Sequence, residues 1–243
     1  MTASRRADLL LVERGLFDSR AKAQAAIKAG LVTADERIVR KASEEIAISA
    51  ILLAKPTHPY VSRGGVKLVG ALDHFHFDPR GAVCLDVGAS TGGFTQVLLE
   101  RGAKRVYAVD VGRGQLHESL RARPDIVLME EMDIRALSPA RLGDAADLVT
   151  IDVSFISLKL VLPPALALAK TPACLVALIK PQFEAGRSGT KKGIVRDSAI
   201  RAAVCDDIAG FVRSIGWRTL GIIPSPIEGG DGNAEFLLGA VRD

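Results

Sequence analysis

The stretch VCLDVGASTGGFT, residues 83–95, limits the possible folds more than any other part of the chain. A short apolar run meets Asp86, Gly88, Ser90 and the pair Gly92 and Gly93, then continues as TQVLLERG. This reads as a buried strand, a tight loop and the start of a helix. The next apolar segment, RVYAVD, ends in Asp110, 24 residues beyond Asp86. An acid roughly 20 residues past a glycine loop is what a Rossmann-type site uses to hold the ribose hydroxyls of an adenosine. Glycines near a strand end also form plain structural turns; the second strand and its acid favour a nucleotide-cofactor loop.

Asp86 bears on which cofactor that is. A pyrophosphate on the helix N-terminus would be repelled by a carboxylate closing the strand before it, whereas S-adenosylmethionine carries positive charge and no phosphate. The acid therefore favours S-adenosylmethionine over a dinucleotide. No G-x-x-x-x-G-K-[ST] occurs, which disfavours a P-loop nucleotidase.

The remaining pattern fits around this loop. With 243 residues, 48% of them hydrophobic and 25% charged, the chain can bury one ordinary domain and a small one. Its net charge of +4 is unevenly placed: residues 1–60 hold ten Lys and Arg against seven Asp and Glu. Such a basic N-terminal quarter is compatible with an acidic partner such as nucleic acid. Cys84, Cys174 and Cys205 lie far apart in apolar surroundings, so neither a disulfide framework nor a metal site is expected. The start, MTASRRADLLLVERG, is no signal peptide, and residues 158–179 are broken by Lys159, Lys170 and three prolines. The reading is a cytoplasmic protein without stable membrane association.

Two helices are expected over residues 7–30, with Ser19 as N-cap and Gly30 at the C-terminal end. Leu9, Leu10 and Leu16 would pack against Ala23, Ala26 and Ile27, leaving Arg5, Arg6, Arg14, Arg20, Lys22 and Lys28 outside, as an RNA contact or a solvated face. LVTADERIV and EEIAISAILLAK read as strands of one small curled sheet, and residues 57–59 as a linker. The expected domains are residues 1–59 and 60–243. From residue 60 strands alternate with helices: a helix in VSRGGVKLVGALDHF with Val66, Val69, Leu72 and Phe75 on its stripe, a helix around GQLHESLRA, and a late helix carrying Ile200, Val204, Ile208, Phe211, Val212 and Ile215. TLGIIPSPI and NAEFLLGAV would add an antiparallel edge. This alternation predicts an α/β, doubly wound, mostly parallel sheet with its ligand at the carboxyl ends of the strands.

Asp110, Asp133, Asp152 and Lys180 stand where a buried core would not choose them. Asp133, or the backbone beside it, could meet an adenine amino group; it is otherwise an exposed loop acid. Asp152 ends the strand LVTI beside the expected donor methyl, and Lys180 after LVALI is costly to bury unless paired or functional. The loop 186–196 offers Arg187, Lys191, Lys192 and Arg196 as phosphate contacts, or is a solvated loop.

Two resemblances organise these observations. LLLVERGLFDSRAKAQAAIKAGLV is similar to the S4-like RNA-binding domain over residues 8–32, although Ala34, Asp35 and Glu36 stand where such domains usually carry an Asn-Gly turn. SRGGVKL, LDVGASTGGFT, IDVSFISL, IKPQFEAGR, GIVRD and SPIEGGDGNAEF, in that order, resemble the TlyA-type (hemolysin A-like) ribosomal RNA 2′-O-methyltransferases, whose catalytic domain is similar to FtsJ/RrmJ-type enzymes. The resemblance implies a Rossmann-like S-adenosylmethionine-dependent sheet behind a small α+β S4-like domain. Its Lys-Asp-Lys-Glu tetrad falls on Lys67, Asp152, Lys180 and Glu235, and its cofactor loop adds Phe94 to the residues above. Lys180 would act as base or orient the ribose hydroxyl, with Lys67 the neighbouring cation. Asp152 would hold Lys180, and Glu235 would anchor Lys67 or the ribose. Arg63, within the SRGGVKL motif, joins the RNA-binding set. The implied substrate is ribosomal RNA or a ribosomal subunit, a cytidine, with the large subunit favoured because the chain stops soon after its last strand. The rivals are a membrane-active hemolysin and a non-catalytic assembly factor.

Overall fold

The computed structural model describes residues 3–186, 193–229 and 232–243, in two units, Met1–Pro59 and Tyr60–Asp243. The first unit runs β1 (Ser4–Arg6), α1 (Ala7–Glu13), α2 (Arg20–Lys28), β2 (Val32–Ala34), β3 (Arg37–Ile38), β4 (Glu45–Ala47) and β5 (Leu52–Ala54). Ser19 caps α2, its hydroxyl accepting from Lys22 N at 3.4 Å. The helix pair buries Leu10, Leu11 and Phe17 against Ala23, Ala26 and Ile27. Leu16, expected inside, is exposed, because α1 ends at Glu13 and the helical period no longer governs where it points. The strands form two sheets rather than one: β3-β2-β5, and a separate β1-β4 ribbon. SRR pairs with Glu45–Ala47 across 39 to 43 positions of sequence, beyond any local pattern. Asp35 and Glu36 both take positive φ, +46° and +66°, and so supply the left-handed pair that a tight hairpin otherwise takes from Asn-Gly.

The second unit runs α3 (Gly64–Phe75), β6 (Val83–Val87), α4 (Gly93–Glu100), β7 (Arg105–Val109), α5 (Glu118–Arg121), β8 (Ile126–Met129), α6 (Pro139–Leu142), β9 (Ala146–Ile151), α7 (Leu158–Leu166), β10 (Ala169–Ile179), α8 (Pro181–Glu184), α9 (Ser198–Ser214), β11 (Arg218–Pro224) and β12 (Phe236–Arg242). The strand order is β11-β12-β10-β9-β6-β7-β8; β12 runs antiparallel to both neighbours, and the pairs among β10, β9, β6, β7 and β8 are parallel. Alternate strand residues feed two cores. Cys84, Val106, Leu148 and Val176 meet α3 and α4, whereas Leu85, Tyr107, Val149 and Leu175 meet α7 and α9. Burying these apolar stripes is the main favourable contribution to the sheet's stability. On α3 the buried stripe is Leu68, Ala71, Leu72 and Phe75, one residue round from the expected line through Val66 and Val69, because Lys67 turns inward. The helix expected around GQLHESLRA shortens to the four residues of α5. Among the described residues no helix is long and apolar enough to cross a membrane.

From β6 the chain moves outward through β7 to β8, then returns to the other side of β6 as β9. The carboxyl ends of β6 and β9 therefore form the switch point where an open α/β sheet leaves a crevice for a ligand.

Candidate active site

At that switch point the two strand ends touch. Asp152 N donates to Val87 O at 2.9 Å, and a Cβ on Gly88, whose φ is +84°, would stand 2.3 Å from Asp152 O. Only glycine fits there. Ser90 N and Gly112 N both donate to the Asp110 carboxylate at 2.7 Å, which ties the glycine loop to the end of β7.

Two clefts open beside this junction. The larger, about 400 Å³, is bordered by Gly88, Ser90, Asp110, Val111, Asp133 and Asp152 among others. The smaller, about 220 Å³, is bordered by Ser62, Arg63, Lys67, Gly93, Phe94 and again Gly88, Ser90 and Asp152. Asp152 thus faces both. The larger cleft lies within the size range of small-molecule sites and combines apolar walls with a few acids.

The four expected reactive residues form two ion pairs. Lys67 Nζ, on α3, stands 2.5 Å from Glu235 Oε2, and the side chains are 9% and 3% exposed. Lys180 Nζ, at the end of β10, stands 2.6 Å from Asp152 Oδ1 and donates to Ser154 Oγ at 2.9 Å. Pro181 follows Lys180 at once and starts α8, where a missing N–H costs nothing. Chain reversal around Lys180 therefore comes from sequence, but its partners come from another strand. Lys67 and Asp152 line the smaller cleft and Lys180 is tied to it through Asp152, so the two lysines can orient a hydroxyl, and one that has first given up its own proton can receive the hydroxyl's.

Other loop residues are placed differently from the sequence reading. Asp86 is wholly buried and borders neither cleft; it accepts Thr95 Oγ1 at 2.6 Å and Thr150 Oγ1 at 3.1 Å. Burial pushes its carboxyl up to about 7, against the pull of those two hydroxyls. It joins α4 to β9 beneath the loop, which corrects the idea that its charge meets a ligand directly. Gly92 also borders neither cleft: its φ of +95° turns the chain into α4, and a Cβ would meet Leu120 Cδ1 at 2.4 Å. The Phe94 ring is part of the hydrophobic core. Asp133 caps a short 3-10 turn and pairs with Arg135 at 2.6 Å, whose guanidinium lowers its pKa.

The expected RNA-facing cations are mostly engaged. Arg6 and Arg20 both meet the buried Asp8 carboxylate, at 3.1 and 2.9 Å, and Gln24 adds a bond of 2.7 Å. Arg5 pairs with Glu13, Arg14 donates to Ile48 O, and Lys22 pairs with Asp18 at 2.7 Å. Lys28 is exposed, and Arg63 borders the smaller cleft. Arg187, Lys191 and Lys192 lie outside the described residues.

Sequence reasoning missed Ser154 as a partner of Lys180, and Thr95 and Thr150 as the polar floor under Asp86. A threonine in the middle of an apolar strand, as in LVTI, was the available signal. It also missed Phe155, which is 90% exposed, takes a φ of +64° and borders the larger cleft.

Comparison with known proteins adds to this geometry. Residues 60–242 match the family of FtsJ-like methyltransferases, and residues 5–51 match the S4 domain. A Mycobacterium tuberculosis protein named 16S/23S rRNA (cytidine-2′-O)-methyltransferase TlyA is 43% identical over 241 residues, 98% of this chain and 90% of that protein. A Campylobacter jejuni protein named 23S rRNA (cytidine-2′-O)-methyltransferase TlyA is 38% identical over 188 residues, 76% of this chain and 72% of that protein. A solved structure from Streptococcus thermophilus that bears a hemolysin name has a TM-score of 0.79 and 40% identity, covering 100% of this chain and 90% of that one.

Proposed function

Because the chain belongs to the family of FtsJ-like methyltransferases and carries an S4 domain, we propose that it methylates a ribose 2′-hydroxyl of ribosomal RNA, on a cytidine of the large subunit. The fold is a Rossmann-like methyltransferase sheet with a small α+β S4 domain ahead of it. One observation carries the reading: Lys67, held by Glu235, and Asp152, which holds Lys180, both line the smaller cleft, and Asp152 lines the larger one as well. The names of both TlyA relatives include 23S rRNA, which supports the large subunit as substrate.

The residues of the larger cleft fit S-adenosylmethionine. Gly88 allows close backbone approach, Asp110 at the end of β7 can accept ribose hydroxyls, and Asp133, or the backbone beside it, could meet an adenine amino group. When bound, that cofactor supplies an electrophilic sulfonium methyl. Lys180, held by Asp152 and Ser154, would turn an N–H to the ribose hydroxyl and hold its oxygen in line. The oxygen would form its bond to the methyl as the methyl–sulfur bond breaks and S-adenosylhomocysteine leaves, and the hydroxyl proton would pass to Lys180 Nζ once that amine has given a proton of its own to solvent. Lys67, fixed by Glu235, adds positive charge beside the oxygen as it loses that proton. Positioning supplies most of the acceleration in such a transfer. The exposed Phe155 ring offers a face on which a base can stack, which supports a nucleic-acid substrate.

Tritium transfer from labelled S-adenosylmethionine to 50S particles, 30S particles and naked rRNA tests the reading. Label should enter RNA of the 50S particle as an alkali-resistant dinucleotide, and Lys180→Ala should lower transfer by about 10²- to 10⁴-fold while still binding S-adenosylmethionine. Ribosome binding without labelled RNA would replace the enzyme by an assembly factor, and leakage from liposomes without RNA labelling would replace it by a membrane-active protein.

A further inference from the structure

Three joints connect the loop after β9, which carries Asp152, to the segment after β10, which carries Lys180. Lys180 makes the first, to Asp152 and Ser154. The rings of Phe155 and Phe183, 4.9 Å apart, make the second. The third is a single carboxylate at the end of α8: Glu184 accepts Ser157 Oγ at 2.6 Å and Leu158 N at 2.7 Å. Ser157 is the N-cap of α7, so Glu184 satisfies one of that helix's otherwise unpaired N–H groups from a different element and places its charge at the positive end of the helix dipole.

The joints are not equivalent during the reaction proposed above, on which this inference rests. Lys180, with two of its three N–H groups on Asp152 and Ser154, must also serve the ribose hydroxyl, and Phe155 faces the larger cleft. Glu184 borders neither cleft, and both of its carboxylate oxygens are committed to Ser157 and Leu158. We infer that Glu184 is a positioning residue: it keeps the Lys180 segment in register with Asp152 while Lys180 turns to the substrate, without itself touching substrate or cofactor.

Glu184→Gln keeps the side chain's volume and the acceptor for Leu158 N, but its amide can only donate to Ser157 Oγ, so that bond must reverse, the charge at the helix end is lost and the segment can shift. Because a misplacement of about 1 Å costs roughly 100-fold, single-turnover methyl transfer to rRNA should fall about 10- to 100-fold, with the Kd for S-adenosylmethionine and the KM for rRNA changed less than about threefold. Ser157→Ala, which removes the hydroxyl's bonds to Glu184 and to Lys159 N but leaves the bond from Leu158 N to Glu184, should fall less, and Ser157→Thr, which restores both hydroxyl bonds, should recover most of that loss. Transfer within twofold of wild type, or a loss explained by weaker cofactor binding, would overturn the inference and leave Glu184 as a helix cap only. If wild-type protein labels no RNA, the proposed function fails instead. The position of Lys180 is then read directly by reductive methylation with formaldehyde and peptide mass spectrometry. Greater Lys180 labelling in Glu184→Gln than in wild type supports the positioning role, and equal labelling overturns it.

Discussion

Asp8 in the N-terminal unit and Asp86 in the catalytic unit are both fully buried, yet they are held in opposite ways. Asp8 receives two guanidiniums and an amide, and Arg6 above all holds its carboxyl well below the usual carboxylate range. Asp86 receives two hydroxyls and the Thr95 backbone N–H, all neutral donors, so burial wins and its carboxyl rises to about 7. Loss of hydration penalises the charged form in both places; a full counter-charge outweighs that penalty and a neutral dipole does not. The consequence differs by unit. Around Asp8 the acid fixes two arginines whose side chains stay 40% and 54% exposed. Around Asp86 no cation is engaged, and the carboxyl joins strand and helix beneath the glycine loop. Lys67–Glu235 and Lys180–Asp152 lie between these extremes, one cation to one acid.

Breaking the most buried of these pairs should have the largest effect. Lys67→Met leaves Glu235 without its counter-ion, so chemical denaturation should show a loss of about 3–5 kcal/mol, and methyl transfer should fall by at least about 100-fold. A variant as stable as wild type would mean that water reaches this pair as freely as it reaches the arginines around Asp8. The next effect is at Asp8 itself. Asp8→Asn removes the charge that aligns Arg6 and Arg20, for a loss of about 2–3 kcal/mol and weaker rRNA binding in filter assays, with the rate at saturating rRNA little changed. Unaltered rRNA affinity would show that the alignment serves only the fold.

Asp86→Asn should change stability least, within about 1 kcal/mol at pH 7, because a neutral isostere replaces a carboxyl already resisting ionisation. Its signature lies in the pH dependence. The folded pKa of Asp86 is raised, so the native state binds the extra proton between the unfolded value of about 3.9 and about 7, and its contribution to stability declines as pH rises across that window. Asp8 has the opposite sign: its depressed folded pKa stabilises the protein above the unfolded value, and that stability is lost as pH falls through the folded pKa. Melting curves from pH 4 to pH 8 should therefore flatten in Asp86→Asn, and an unchanged slope would remove Asp86 as the buried titrating group.

Much of the catalytic unit was legible because its signals are local. The spacing of Val204, Ile208 and Val212 reports the buried face of α9, and the apolar runs ending in Asp110, Asp152 and Lys180 report parallel strands. The reactive residues were legible by resemblance rather than by spacing, since Lys67 and Glu235 meet across 168 positions and no local period links them. The N-terminal unit was harder to read: Arg5, Arg6, Arg14 and Arg20 can be counted in the sequence, but the acids and carbonyl that hold them cannot.

By itself the sequence determined the alternation of strands and helices, the glycine turn at Gly88 and the kinds of reactive group present, because hydrophobic periodicity and backbone sterics act over a few neighbouring residues. Only the tertiary structure decided that Asp86 is buried under the loop instead of facing a ligand, that Asp8 holds two arginines, and that Glu184 bonds the N-terminus of α7. A carboxylate's behaviour depends on its burial and on the charge of its partners, and both are set by which distant strands and helices the fold brings together.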